Sequence, residues 1–131
     1  MNKEIQTALK TDKTIDIITT GAKSGLPRRH EIWFHNLDGR IIICGTPDGK
    51  GEGGPRKPRD WMANLKANPD FTFCLKESVQ AELPVRAVII SDPADRRAIM
   101  SAPQTKYYRE KTSLEDLLEN SPIVEVFINE I

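Results

Sequence analysis

The sequence predicts an α+β, mainly β domain: six antiparallel strands curved into a barrel, with helices on the periphery. Three observations lead there. Short runs rich in Ile, Val, Phe and Thr are separated by Gly, Pro, Asn and Asp, which is how strands and turns alternate. The strands arrive mostly as hairpins, with Asp38-Gly39 between two such runs as the strongest signal. Helical segments fall between hairpins and do not alternate with strands one by one, which excludes a doubly wound parallel sheet. A chain of 131 residues suits one domain, residues 1–131.

Each element has its own local reason. Ile5, Ala8 and Leu9 share one helical face, so residues 3–11 form a short amphipathic helix. Ile15–Thr20 is β-branched and extended, and Gly21 ends it. A turn, Gly-Ala-Lys-Ser-Gly-Leu-Pro-Arg, leads to a strand over Arg28–Leu37, and Arg40–Cys44 returns after Asp38-Gly39. In the first of these strands Arg28, His30, Ile32 and Phe34 share one face, and Glu31, Trp33, His35 and Leu37 the other. Aromatic residues on both faces predict a strand buried on both sides.

Gly45–Pro58 is irregular, holding five of the eight glycines and three of the nine prolines. Arg59–Ala67 is helical and Asn68-Pro69 stops it. Phe71–Lys76 alternates as a strand, Glu77-Ser78 turns, and Val79–Ile90 forms a second hairpin arm in which Pro84 implies an edge or a bulge. Ser91 or Asp92 caps a helix that opens with Pro93 and runs to about Ser101. Residues 104–119 are helical in two pieces, and Ile123–Ile128 is the last strand.

Composition excludes several function classes. Nineteen Lys and Arg balance nineteen Asp and Glu, so bulk charge gives no nucleic-acid binder. Cys44 and Cys74 are too few for a disulfide framework or a four-cysteine zinc site. No apolar run approaches the roughly 20 residues of a membrane span. The opening residues lack the apolar stretch of an export signal, so a reducing cytoplasm is the expected location. The halves differ in sign: residues 1–60 carry 11 basic and 8 acidic side chains, and residues 61–131 carry 8 and 11. The basic excess lies near the glycine-rich turns, where a small anion could bind.

No metal site is expected. His30 and His35 point to opposite faces of one strand, and the cysteines lie on different strands. No Gly-x-Ser-x-Gly elbow marks a hydrolase. Anion binding is better supported. Gly21-Ala22-Lys23-Ser24-Gly25 joins two strands, and its glycines let backbone N–H groups approach a phosphate beside one cation and one hydroxyl. Its spacing is not that of a nucleotide-triphosphate loop. Lys50, Arg56, Lys57 and Arg59 lead into a helix N-terminus, a second place for an anion or a plain surface loop. Trp33 and Trp61 either pack in the core or offer a flat face to an aromatic ring.

Thr-Thr-Gly-Ala-Lys-Ser-Gly-Leu-Pro-Arg over 19–28, followed after a hairpin by Gly-Gly-Pro-Arg-Lys-Pro-Arg-Asp-Trp-Met-Ala-Asn-Leu-Lys-Ala-Asn-Pro-Asp-Phe-Thr-Phe over 53–73, resembles the deazaflavin-dependent nitroreductase family. These are flavin and deazaflavin oxidoreductases of the split β-barrel type, related to pyridoxamine-phosphate oxidases. The likeness covers roughly residues 14–90, with a weaker echo in 121–128. It implies a split barrel, bound coenzyme F420 and two-electron reduction of a nitro, quinone or enone acceptor. By the same resemblance Gly21, Lys23, Ser24 and Gly25 hold the cofactor phosphate, and Thr46, Lys57, Arg59, Trp61 and Asn64 line its groove. Asn64 has a structural alternative, capping its own helix.

Tyr107 and Tyr108 are the expected proton donors, with an exposed helix as the plainer reading of Gln-Thr-Lys-Tyr-Tyr-Arg-Glu-Lys. Two positions depart from the family pattern: Ala22 stands at the usual Arg of the turn, and Lys57-Pro58 lacks the usual histidine between them. FMN is therefore the alternative cofactor. A non-catalytic protein holding a flavin, deazaflavin or haem-type ligand is the alternative class. The expected partners are a small-molecule cofactor and substrate, and exposed strand edges would favour a homodimer.

Overall fold

A computed structural model of the chain describes residues 1–47 and 59–129. The helices are α1 (Lys3–Thr11), α2 (Asp60–Ala67), α3 (Pro93–Ser101), α4 (Lys106–Lys111) and α5 (Leu114–Asn120), with a 3-10 turn at Pro103–Thr105. The strands are β1 (Thr14–Thr20), β2 (Pro27–Trp33), β3 (His35–Leu37), β4 (Arg40–Cys44), β5 (Asp70–Leu75), β6 (Ala81–Ile89) and β7 (Ile123–Ile128). They form one sheet in the order β2-β1-β5-β6-β7-β4-β3, and every neighbouring pair is antiparallel. β2 and β4 lie near opposite ends of this order and still touch, so the sheet is curled into a half-barrel.

The expected six strands are seven, because the strand expected over Arg28–Leu37 breaks at Phe34. Up to Trp33 the chain pairs with β1, in the register Thr14↔Trp33 to Thr20↔Pro27. The Phe34 N–H leaves that ladder for the Lys13 carbonyl at 2.9 Å. From His35 the chain pairs with β4 instead, His35 opposite Ile42. The break sends Phe34 inward, edge-on to Phe73 at 5.2 Å, and His35 toward the helices.

β2 itself is an exposed edge, not a strand buried on both sides. The doubly buried strand is β4. Ile41 and Ile43 enter the core inside the curl, while Ile42 and Cys44 pack under α3, α4 and α5. Its unbroken run Ile-Ile-Ile-Cys is the pattern of a strand covered on both faces.

Pro84 lies within β6, between β5 and β7. Its carbonyl accepts from the Asn129 N–H at 3.0 Å, so its nitrogen also faces the β7 side. The β6–β7 ladder starts one residue later, at Val85↔Ile128, and the missing donor breaks no rung.

Helices α1, α3 and α5 begin at capping side chains. Asn2 accepts from the Ile5 N–H, Asp92 from Asp95 and Ser113 from Asp116, each satisfying a first-turn donor. Arg40 on β4 forks onto Asp95 of α3 at 2.8 and 2.9 Å and onto Glu125 of β7, which fastens the helical layer to the sheet. Among the described residues no helix is long and apolar enough to cross a membrane.

Candidate functional site

Two cavities meet along β2. The first is a cradle of about 440 Å³ at the turn between β1 and β2. The Gly21 N–H donates to the Leu26 carbonyl at 2.8 Å, and the Gly25 N–H to the Gly21 carbonyl at 2.9 Å. Gly25 has a φ of 69°, a backbone conformation that favours glycine. A Cβ on Gly21 would stand 2.5 Å from Ser24 Oγ and 3.3 Å from the Leu26 carbonyl oxygen, so the bare glycine makes room for the Ser24 hydroxyl. Lys23, Ser24 and Arg28 line the cavity, with Asp60 and Asn64 from α2 on the far side.

Asn64 is buried and ties this turn to the helix. Its Oδ1 accepts from the Ala22 N–H at 2.9 Å, and its Nδ2 donates to Thr19 Oγ1 at 3.0 Å. Helix capping is thus not what occupies this side chain. It holds the backbone at the position where the family pattern has arginine, so the turn keeps its shape without a long side chain at residue 22.

The second cavity is a groove of about 450 Å³, within the range of small-molecule sites. Trp33 and Tyr107 stand at its mouth, both exposed, edge-on at 5.1 Å. Trp61 is buried and lines it from α2. The Arg59 guanidinium donates to the Thr46 carbonyl at 2.6 Å and to Thr46 Oγ1 at 2.9 Å. A Cβ at Gly45 would come within 3.2 Å of that guanidinium, so the bare glycine makes room for it.

Tyr108 forms the back of the groove, and its surroundings decide its chemistry. Its hydroxyl lies 2.8 Å from His35 Nε2 and donates to the Cys44 carbonyl at 3.2 Å. With the phenol proton given to Cys44, the Nε2–H tautomer of His35 completes the network. Burial, helped by the Lys13 charge, lowers the His35 pKa to about 4. Burial also raises the Tyr108 phenol above its ordinary value and pushes the Cys44 thiol up to about 12. All three are neutral at pH 7, and Cys44 is no thiolate nucleophile. The helix carrying both tyrosines is therefore not a wholly exposed one. Tyr108 is 4% exposed and Tyr107 42%, and the Tyr107 hydroxyl has no hydrogen-bond partner among the described residues.

Of the residues expected from sequence, Gly21, Lys23, Ser24 and Asn64 line the cradle. Thr46, Arg59, Trp61, Tyr107 and Tyr108 line the groove. Gly25 shapes the turn without lining either cavity. Lys57 lies outside the described residues. Arg28, His30, Trp33, Gly45 and His35 complete the picture. Arg28 and His30 share a face in the strand alternation, a signal that the sequence carries. The place of His35 behind Tyr108 has no such signal, because 73 residues separate the two.

A cationic turn beside an aromatic groove fits a molecule that joins a phosphate to a flat ring, as F420 does. His30 faces both cavities, and its Nε2 is shut from solvent with no partner among the described residues. That orphaned atom at the junction is consistent with one ligand crossing from cradle to groove.

Comparison with known proteins identifies the family and the fold. The model of a family described as F420H(2)-dependent quinone reductase matches residues 1–116. Among solved structures, the conserved hypothetical protein Rv2991 from Mycobacterium tuberculosis superposes with a TM-score of 0.69 at 17% identity, covering 99% of this chain and 82% of that one. A Clostridium acetobutylicum protein of the pyridoxinephosphate oxidase family, related to general stress protein 26, gives 0.64 at 14% identity over 97% and 80%. An F420-H2 dependent reductase, FDR-A, gives 0.54 at 23% identity over 88% and 94%. The structural matches establish the split-barrel fold.

Proposed function

The chain belongs to the F420H(2)-dependent quinone reductase family and is an F420-dependent oxidoreductase, and from that premise we propose that it reduces a small, flat quinone, nitro or enone acceptor held in the aromatic groove. The observation that carries this reading is the junction of a cationic cradle with a groove walled by Trp33, Trp61, Tyr107 and Tyr108. Reduced F420, when bound, supplies the hydride.

The protein's part is to bind, orient and exclude water. Lys23 and Ser24, with Arg28 beside them and backbone help from Gly21 and Gly25, hold the phosphate. Arg59, locked onto Thr46, and the face of Trp61 bound the ring. Trp33 and Tyr107 close the mouth over the acceptor and keep water from its reacting face. An acceptor of this class gathers negative charge on oxygen and then needs a proton. Tyr107 and Tyr108 are the two hydroxyls on that side. The Tyr107 O–H has no hydrogen-bond partner among the described residues. Tyr108 would first have to release the Cys44 carbonyl, with His35 still donating to its oxygen.

Titration of the protein with F420 and with FMN separately, followed by fluorescence, tests the cofactor site. Lys23→Ala is expected to weaken F420 binding about 10- to 100-fold, the worth of one charge-assisted hydrogen bond. Normal binding by that variant would remove the phosphate from this turn. Anaerobic oxidation of reduced F420 with a naphthoquinone, a nitroaromatic and a cyclic enone then tests the acceptor. Tight binding with no acceptor-dependent oxidation would leave a carrier and overturn the reductase reading for these acceptors.

A further inference from the structure

Among the described residues two side-chain polar atoms are shut from solvent without a hydrogen-bond partner, His30 Nε2 and Ser121 Oγ. Buried polar atoms are nearly always paired, so each needs an explanation. Ser121 lies by a separate cavity beside Arg96, whose guanidinium is already given to the carbonyls of Ile90, Leu118 and Ser121. His30 is different. It stands on the edge strand β2, opposite Ile17 of β1, and lines both the cradle and the groove.

We propose that His30 is a ligand-contact residue that hydrogen-bonds the hydroxyl-bearing chain joining the ring of F420 to its phosphate. The proposal rests on the placement of phosphate and ring given above. A ligand whose phosphate sits by Lys23 and Arg28 and whose ring sits by Trp61 and Arg59 must run past residue 30. The part of F420 between those ends is a polyol. A hydroxyl can donate to a bare imidazole nitrogen or accept from an N–H, so either tautomer of His30 finds a partner there. The charges around it are Lys23, Arg28 and Asp60 in the cradle, and Glu31 and Arg59 in the groove. The phosphate and ring ends have these charged and aromatic partners. The middle has His30.

This reading predicts a separation that a structural histidine would not give. His30→Phe removes a buried polar atom that has no partner among the described residues, so its thermal unfolding temperature should equal or exceed that of the wild type. Its F420 dissociation constant should rise about tenfold, because a ligand hydroxyl is then buried without a partner. His30→Gln, which can still donate or accept, should recover part of the affinity. In wild-type protein carrying ¹⁵N-labelled histidine, oxidised F420 should shift the His30 Nε2 resonance more than that of His35.

Unchanged affinity in His30→Phe, with Lys23→Ala still weakened, would overturn this inference and leave the phosphate site standing. A fall in unfolding temperature with no change in affinity would make His30 a structural residue. Failure of the wild type to bind F420 would overturn both readings together.

Discussion

Asn64→Leu is expected to lower the unfolding free energy by about 2–4 kcal/mol and to weaken F420 binding in the same variant. The residues are similar in size, so the effect is not a cavity. Leucine removes the acceptor for the Ala22 N–H and the donor to Thr19 Oγ1, two groups that meet where β1 ends and the turn begins. Thr19 is 1% exposed, so its hydroxyl is left without a partner where water hardly reaches, while the Ala22 N–H, on an exposed residue, loses the bond that fixes the turn. The turn also loses its hydrogen bond to α2, so Lys23 and Ser24 are no longer held against the helix.

Urea unfolding reads the stability loss as a lower midpoint with an unchanged slope. Titration with F420 reads the second effect. Asn64→Asp keeps an acceptor for Ala22 and should fall between the two. A neutral Asn64→Leu would mean that the two backbone bonds of the turn, Gly21 to Leu26 and Gly25 to Gly21, hold its shape unaided.

Acidification supplies the second large effect. The His35 pKa falls from 6.5 in the unfolded chain to about 4 in the folded protein, so the unfolded state binds the extra proton first. The sign follows directly. The contribution of His35 is fully present above pH 6.5 and is lost as pH falls from 6.5 toward 4. It amounts to about 3 kcal/mol on the usual conversion. Asp16 and Asp95 act in the same direction at lower pH, because Lys76 and Arg29 hold the first carboxyl, and Arg40 the second, below the ordinary range.

Unfolding midpoints measured from pH 7 to pH 4 should therefore decline, and His35→Phe should flatten the upper part of that decline. The variant also removes one of the two partners of the Tyr108 hydroxyl, so its stability at pH 7 will be lower than that of the wild type. The slope with pH is the diagnostic quantity. An unflattened slope would place the titrating group elsewhere.

How much of the fold and the site is legible in the sequence depends on the range of the interaction. The helix starts at Asn2, Asp92 and Ser113 and the Asp38-Gly39 hairpin follow from chemistry within four residues. The turn Gly21–Leu26 reads as an anion cradle from its own glycines, lysine and serine. The break at Phe34 does not read, because alternation continues through it; the chain changes partners there without changing its pattern. The aromatic run of β2 suggests a doubly buried strand, when the run Ile41-Ile42-Ile43-Cys44 carries the true signal. Resemblance places Asn64 at the site, but its two bonds cross 42 and 45 residues and no local pattern shows them.

By itself, then, the sequence determined the antiparallel β character, the peripheral helices, the glycine turn between the first two strands and the family, since all are carried by short patterns and fixed spacings. Tertiary structure alone decided which strand closes the curl and that, among the described residues, the Tyr108 hydroxyl is hydrogen-bonded while that of Tyr107 is not. It also decided that His35 stands behind Tyr108 and that His30 joins two cavities. Those facts depend on which distant residues a curled sheet brings together, and local periodicity holds no information about partners dozens of residues away.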